Sequence, residues 1–171
     1  VREAATGGAF VAPSIDDAGF VWTSTGSSAG ALLALSGQGA ELDAKVDAPW
    51  LTGREVRSVR IAADATRMLV LSADGGGARL DLCAVVRDTT GTPTSLTEPV
   101  IVRTSLAEVT EAGWYDEIAM VVLGTDSSTG DRRAQIVDFA SGLDVLPSLA
   151  SGTEKIAGSV VAESVWIGTA D

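Results

Sequence analysis

The residues in this chain able to do chemistry are few, and their spacing suits little of it. Gly26-Ser27-Ser28-Ala29-Gly30 matches the nucleophile elbow of α/β-hydrolases, where a serine sits on a strained strand-to-helix turn. That serine needs a histidine to take its proton, and the 171 residues contain none. The segment therefore reads as a loop. Cys83 is the single cysteine, so no internal disulfide can form. It stands in Leu80-Asp81-Leu82-Cys83-Ala84-Val85-Val86, with no histidine or basic cluster to favour a thiolate, and reads as a small core hydrophobe. One cysteine and no histidine make zinc improbable. Calcium takes oxygen ligands, and Asp126-Ser127-Ser128-Thr129-Gly130-Asp131 is the best candidate, with Asp126 and Asp131 as weak ligands. Its acidic density is below that of an EF-hand, and a solvated hairpin loop is the plainer reading. Gly75-Gly76-Gly77 lacks the Gly-Lys-Ser/Thr continuation of a phosphate cradle. Asp16-Asp17 and Asp116-Glu117 are adjacent pairs, which a strand points to opposite faces, so neither makes the facing carboxylates of a glycosidase. The expectation is no catalytic residue, no cofactor and no enzyme.

Binding is the remaining class of chemistry. Trp50 lies in Ala48-Pro49-Trp50-Leu51, where the proline favours an extended or turn backbone. Burial is the default for its indole, but displayed at a rim it would anchor a partner, as tryptophan and arginine dominate binding hot spots. Arg132 and Arg133, beside the Asp126 loop, are the second and weaker partner-binding candidates. A formal net charge of −11 repels phosphate backbones and anionic headgroups, which disfavours nucleic acid and direct lipid docking. No apolar run approaches the length of a membrane span, and no signal peptide is visible. The start at Val1, without a methionine, suggests a piece of a longer protein.

The elements that must carry these residues are strands. Short apolar runs alternate with turn clusters: Gly19 to Ser24, Ala31 to Leu35, Val56 to Ile61, Arg67 to Ser72, Arg79 to Val86, Glu117 to Leu123 and Ala134 to Phe139. Runs of this length with turns every 8–12 residues indicate an all-β protein: a sandwich, a barrel or a propeller. A repeat decides between them. Asp17, Asp64 and Asp116 each follow an apolar strand end with small residues and precede a strongly apolar strand, at intervals of 47 and 52 residues. A degraded fourth copy runs through Ile156 to Ile167. This is the period of propeller blades, which bury their faces by stacking around an axis. Trp22, Trp114 and Trp166 are suited to fill the wedges between blades, and each turn aspartate to cap backbone N–H groups. The blades expected are 11–58, 59–108 and 109–156, with a remnant at 157–171. Three to four blades are few for a closed ring, so an incomplete propeller with open, self-associating edges is expected.

The chain resembles the β-propeller domain of the LpqB lipoproteins of actinobacteria. The likeness rests on Pro13-Ser14-Ile15-Asp16 with Val21-Trp22, on Val56 to Asp64 with Arg67-Met68, on Arg79-Leu80, and on Val85-Val86-Arg87-Asp88 with Gly91-Thr92-Pro93 and Leu96. It closes with Trp114-Tyr115-Asp116. Family members show a Ser-Arg-Asp-Gly-type turn where this chain has Ala62-Ala63-Asp64-Ala65, without the serine and the glycine. The resemblance implies a lipid-anchored protein of the extracytoplasmic membrane face, whose anchor cysteine and upstream modules are not in this sequence; Cys83, mid-strand, is not the lipidation site. It also implies association with the membrane sensor histidine kinase of a two-component system. The expected function is a non-enzymatic interaction module acting on that kinase. The alternatives are a propeller that senses a cell-wall ligand or a metal, and a cryptic hydrolase.

Overall fold

The computed structural model describes residues 11–25, 30–36, 43–139, 149–151, 153–159 and 164–169. They form strands and one short 3-10 turn. The first blade is an antiparallel meander of β1 (Ser14–Ile15), β2 (Phe20–Thr23), β3 (Ala31–Ser36) and β4 (Asp43–Asp47). The second is β5 (Glu55–Ile61), β6 (Arg67–Asp74), β7 (Gly77–Arg87) and β8 (Pro93–Leu96), with β9 (Val100–Ile101) beside β7. The third is β10 (Leu106–Trp114), β11 (Ala119–Asp126), β12 (Arg132–Asp138) and β13 (Leu149–Ser151). A hairpin of β14 (Thr153–Ser159) and β15 (Ser164–Thr169) follows. These are four-stranded propeller blades. The expected boundaries at 58/59, 108/109 and 156/157 fall inside β5, β10 and β14, because the small-residue and acidic signature ends the first strand of each repeat instead of opening it.

The second strand of a blade carries its most apolar run for a physical reason. Met68-Leu69-Val70-Leu71 and Met120-Val121-Val122-Leu123 are buried at every position, so both faces of β6 and β11 are covered. A continuous apolar run, instead of an alternating one, is what such a strand requires. The outer strands are less legible. β4 reads Asp-Ala-Lys-Val-Asp, and β8 opens on a proline with only four residues, meeting β4 in parallel at a single point, Asp47 opposite Ser95.

The chain forms two compact units: Val1–Gly76 with Asp81–Val100, and Gly77–Leu80 with Ile101–Asp171. In the first, a core of Trp22, Leu32, Val46, Leu51, Val59 and Met68, among others, joins side chains of both blades. Trp22 thus fills the wedge between them. In the second unit, Val121, Leu123 and Ala134 pack with Ile156 of the following hairpin. Trp114 is buried edge-on to Phe139, with ring centroids 6.4 Å apart. The side chain of Trp166 lies outside the described residues.

The turn aspartates do cap backbone, with one exchange. Asp116 accepts from the N–H groups of Ile118 and Ala119, and Asp64 from that of Thr66. In the first blade this role belongs to Asp16, not Asp17. Asp17 is exposed, whereas Asp16 is buried and its Oδ1 accepts from the Phe20 N–H at 2.8 Å. The Oδ2 of Asp16 accepts from Trp22 Nε1 at 2.9 Å and Arg87 Nη2 at 2.7 Å. Arg87 also donates to the carbonyls of Ala65 and Gly91, and its guanidinium lies 5.4 Å from the Phe20 ring centre.

Ala65 is the only described non-glycine residue with positive φ, at 58°. It stands where the resembled family has glycine, so the missing glycine leaves a left-handed backbone carrying a Cβ. That conformation costs an L-residue about 1–2 kcal/mol, against about 0.4–1 kcal/mol of extra unfolded-chain entropy for glycine. Ala65→Gly is therefore expected to stabilise the protein by roughly 0.5–1 kcal/mol, read as a higher urea midpoint. Asp16→Ala leaves Arg87 and the Trp22 indole without their common acceptor. It should cost about 3–5 kcal/mol, the range for breaking a buried ion pair from one side, measured in the same titration.

Candidate functional site

The sequence candidates separate once they are placed. Asp126 ends β11, where the chain turns toward β12. Its Oδ1 accepts from the Ser128 N–H at 2.7 Å, the Ser128 hydroxyl and the Thr129 N–H, and its Oδ2 forms an ion pair with Arg133. The carboxylate is thus engaged by the turn and by a guanidinium. Asp131 is exposed and contributes through its backbone, whose carbonyl accepts from the Asp126 N–H. Among the described residues, no group of three or more acidic, cysteine or histidine side chains is placed to hold a metal ion.

Arg132 and Arg133 are neighbours on β12 and point to opposite faces, as the strand period dictates. Arg133 is drawn in by Asp126, while Arg132 is exposed and reaches the Thr110 hydroxyl at 3.2 Å. Trp50 sits on the 3-10 turn Pro49–Leu51, half-buried against the core of the first unit. Its indole N–H is buried and has no hydrogen-bond partner among the described residues. Trp50 thus belongs to the first unit and the two arginines to the second. The serine loop at 26–29 lies outside the described residues.

One arrangement escapes motif reasoning although the spacing of the aspartates encodes it. Asp74 ends β6 as Asp126 ends β11, and the two are 52 residues apart, the interval between the turn aspartates Asp64 and Asp116. Asp74 likewise accepts from the N–H two residues on, at Gly76, and pairs with an arginine, here Arg54. Arg54 is buried and also donates to the Ser72 hydroxyl at 2.9 Å. Acid and arginine thus serve the blades twice over. Cys83 is buried, and burial, with the Asp81 charge adding to it, pushes its thiol up to about 12. It carries no reactive thiolate near neutral pH.

The second unit carries a cleft of about 330 Å³. One wall is the segment from Ala78 to Leu80 with Ile101 to Thr104, joined by the Val102 N–H donating to the Leu80 carbonyl; the other is the start of β10. Leu80, Leu106 and Val109 are its buried apolar floor, and Ile101, 54% exposed, stands at its mouth. Arg79 and Arg103 line it, and none of its ten lining residues is acidic. No sequence motif marks it, since its walls come from segments some twenty residues apart.

The Ser128 hydroxyl, then the Ser128 and Thr129 N–H groups and Arg133, hold the Asp126 carboxyl below the ordinary value of 3.8. A group depressed on folding contributes stability that is present above its unfolded pKa and lost as pH falls through the folded one. The urea midpoint of the wild type should therefore drop as pH is lowered below about 4. Asp126→Asn should show a shallower drop, and equal slopes for the two proteins would remove Asp126 from the account.

A match to a protein family agrees with this architecture. A family model described as the lipoprotein LpqB beta-propeller domain matches residues 1–169. No curated protein matches. Among solved structures, the hydrazine synthase of Kuenenia stuttgartiensis is similar, with a TM-score of 0.49 and 14% sequence identity. That likeness covers 84% of this chain and 38% of the other, so the chain spans well under half of that protein's length. Among the described residues, no helix is long and apolar enough to cross a membrane. With residues 1–169 of its 171 matched by the family model and the blades in place, this chain belongs to the LpqB β-propeller domain family.

Proposed function

We propose that this propeller is a non-enzymatic interaction module of a cell-envelope lipoprotein, held at the extracytoplasmic face of the membrane by an anchor elsewhere in the protein. Its partner in this reading is the extracytoplasmic domain of a sensor histidine kinase, whose signalling it modulates. The observation that carries the reading is the family match over residues 1–169, to a domain described as part of a lipoprotein. The chemistry of the chain is consistent with it. There is no histidine for acid–base work, and the aspartates most suited to a site, Asp16, Asp74 and Asp126, are each engaged by an arginine and a backbone N–H. The Cys83 thiol is buried and strongly disfavoured as an anion. What this chain offers outward is shape, charge and isolated apolar side chains such as Ile15 and Ile118.

Titration calorimetry between this domain and the kinase's extracytoplasmic domain tests the proposal. A saturable interaction with Kd of about 1–50 µM is expected, the range of a modest, transient interface. Binding by the full-length lipoprotein but not by this domain would move the function to the other modules.

A further inference from the structure

The cleft of the second unit departs from the electrostatics of the rest of the chain. The sequence carries 23 acidic residues against 12 basic ones, yet the cleft has two arginines and no carboxylate among its ten lining residues. Arg103 is exposed, and no described carboxylate pairs with it. This differs from Arg54, Arg87 and Arg133, each of which is ion-paired with an aspartate. Beneath the charges lies an apolar floor of Leu80, Leu106 and Val109, with Ile101 exposed above it. A surface that combines guanidinium groups with an open apolar trough matches a ligand combining carboxylates with aliphatic side chains.

From this geometry we infer that the cleft binds an extended, acidic and partly aliphatic peptide segment of a protein partner. A carboxylate of the segment pairs with Arg103, and one aliphatic side chain enters the trough beside Ile101. Charge complementarity selects this occupant. A basic segment would meet the like charge of Arg103, and a wholly apolar one would leave that guanidinium facing it without an acceptor. A peptide is favoured over a small enclosed ligand because the trough is shallow, with Ile101 and Arg103 both exposed at it. The identity of the partner rests on the interaction-module reading, but binding of the segment itself does not.

The test is fluorescence anisotropy with a labelled pentapeptide of alternating glutamate and leucine, and a counterpart with lysine replacing glutamate. At physiological salt the glutamate peptide should bind, weakening as salt is raised further, and the lysine peptide should not bind. Arg103→Glu should lower affinity at least about tenfold and Ile101→Ser several-fold. Arg57→Glu makes the same change in net charge at an exposed site outside the cleft and should leave affinity unchanged. Arg103→Lys should retain part of the binding. Equal losses for Arg57→Glu and Arg103→Glu, or equal binding of both peptides, would overturn the assignment by showing non-specific attraction. Kinase-domain binding without peptide binding would overturn the cleft while leaving the module reading standing, and absence of both would overturn both.

Discussion

A carboxylate with no exposed side-chain surface has to be answered on all sides, and the Asp16 carboxylate of the first unit is such a group. Its two oxygens take three donors: the Phe20 N–H, the Trp22 indole and the Arg87 guanidinium. Each donor does a different mechanical job. The first closes the β1–β2 turn. The second fixes the tilt of the tryptophan that fills the wedge between two blades. The third reaches across from β7, 71 residues along the chain, and ties in the β5–β6 and β7–β8 turns through the carbonyls of Ala65 and Gly91. Burying an ion pair is seldom worth much in net stability, since desolvation consumes most of the Coulombic gain. What it does supply is intolerance of alternatives: any slip between the two blades would leave a buried charge without its counter-ion. Apolar packing around Trp22 provides the adhesion, and the Asp16–Arg87 pair fixes the alignment.

The same device recurs with different reach. Asp74–Arg54 and Asp126–Arg133 staple the far ends of β6 and β11, each within one blade, and Asp64 and Asp116 cap turns using backbone donors. The pattern explains how a sequence with weak helix signals and many small residues still specifies a single register. Strand runs such as Met120 to Leu123 would pair in several registers by apolarity alone, being buried on both faces. Acid residues at the turns remove that freedom, because a one-residue slip would withdraw the carboxylate from its N–H groups.

This division of labour also sets what is legible in the sequence. The apolar second strands are legible, because burial on both faces imposes a run that no turn or outer strand shares. The turn aspartates are legible as a repeat of 47 to 52 residues, although the doublet Asp16-Asp17 hides which carboxylate faces inward. Only the backbone curvature of the turn at 16–19 decides that. The strands β4 and β8 leave almost no trace, since an outer strand of four or five residues needs only one or two inward side chains. The partner of Asp16 is beyond reach for a plainer reason. Nothing local to Arg87 distinguishes it from Arg103, yet one ends beside a buried carboxylate and the other beside an open trough.

That contrast bears on how an acidic module can select an acidic segment. At a distance the net charge of −11 opposes approach, and encounter is slower than for a neutral pair. Physiological salt screens such repulsion beyond roughly 8 Å, so the barrier is low and the local field of the cleft governs the final contact. Within that range the exposed Arg103 guanidinium, in a trough lined by no carboxylate, acts on the ligand at shorter distance than charges elsewhere. Repulsion elsewhere then works as discrimination, since the chain as a whole carries net negative charge. Selectivity would come as much from the net negative charge that rejects the ligand elsewhere as from the arginine that accepts it.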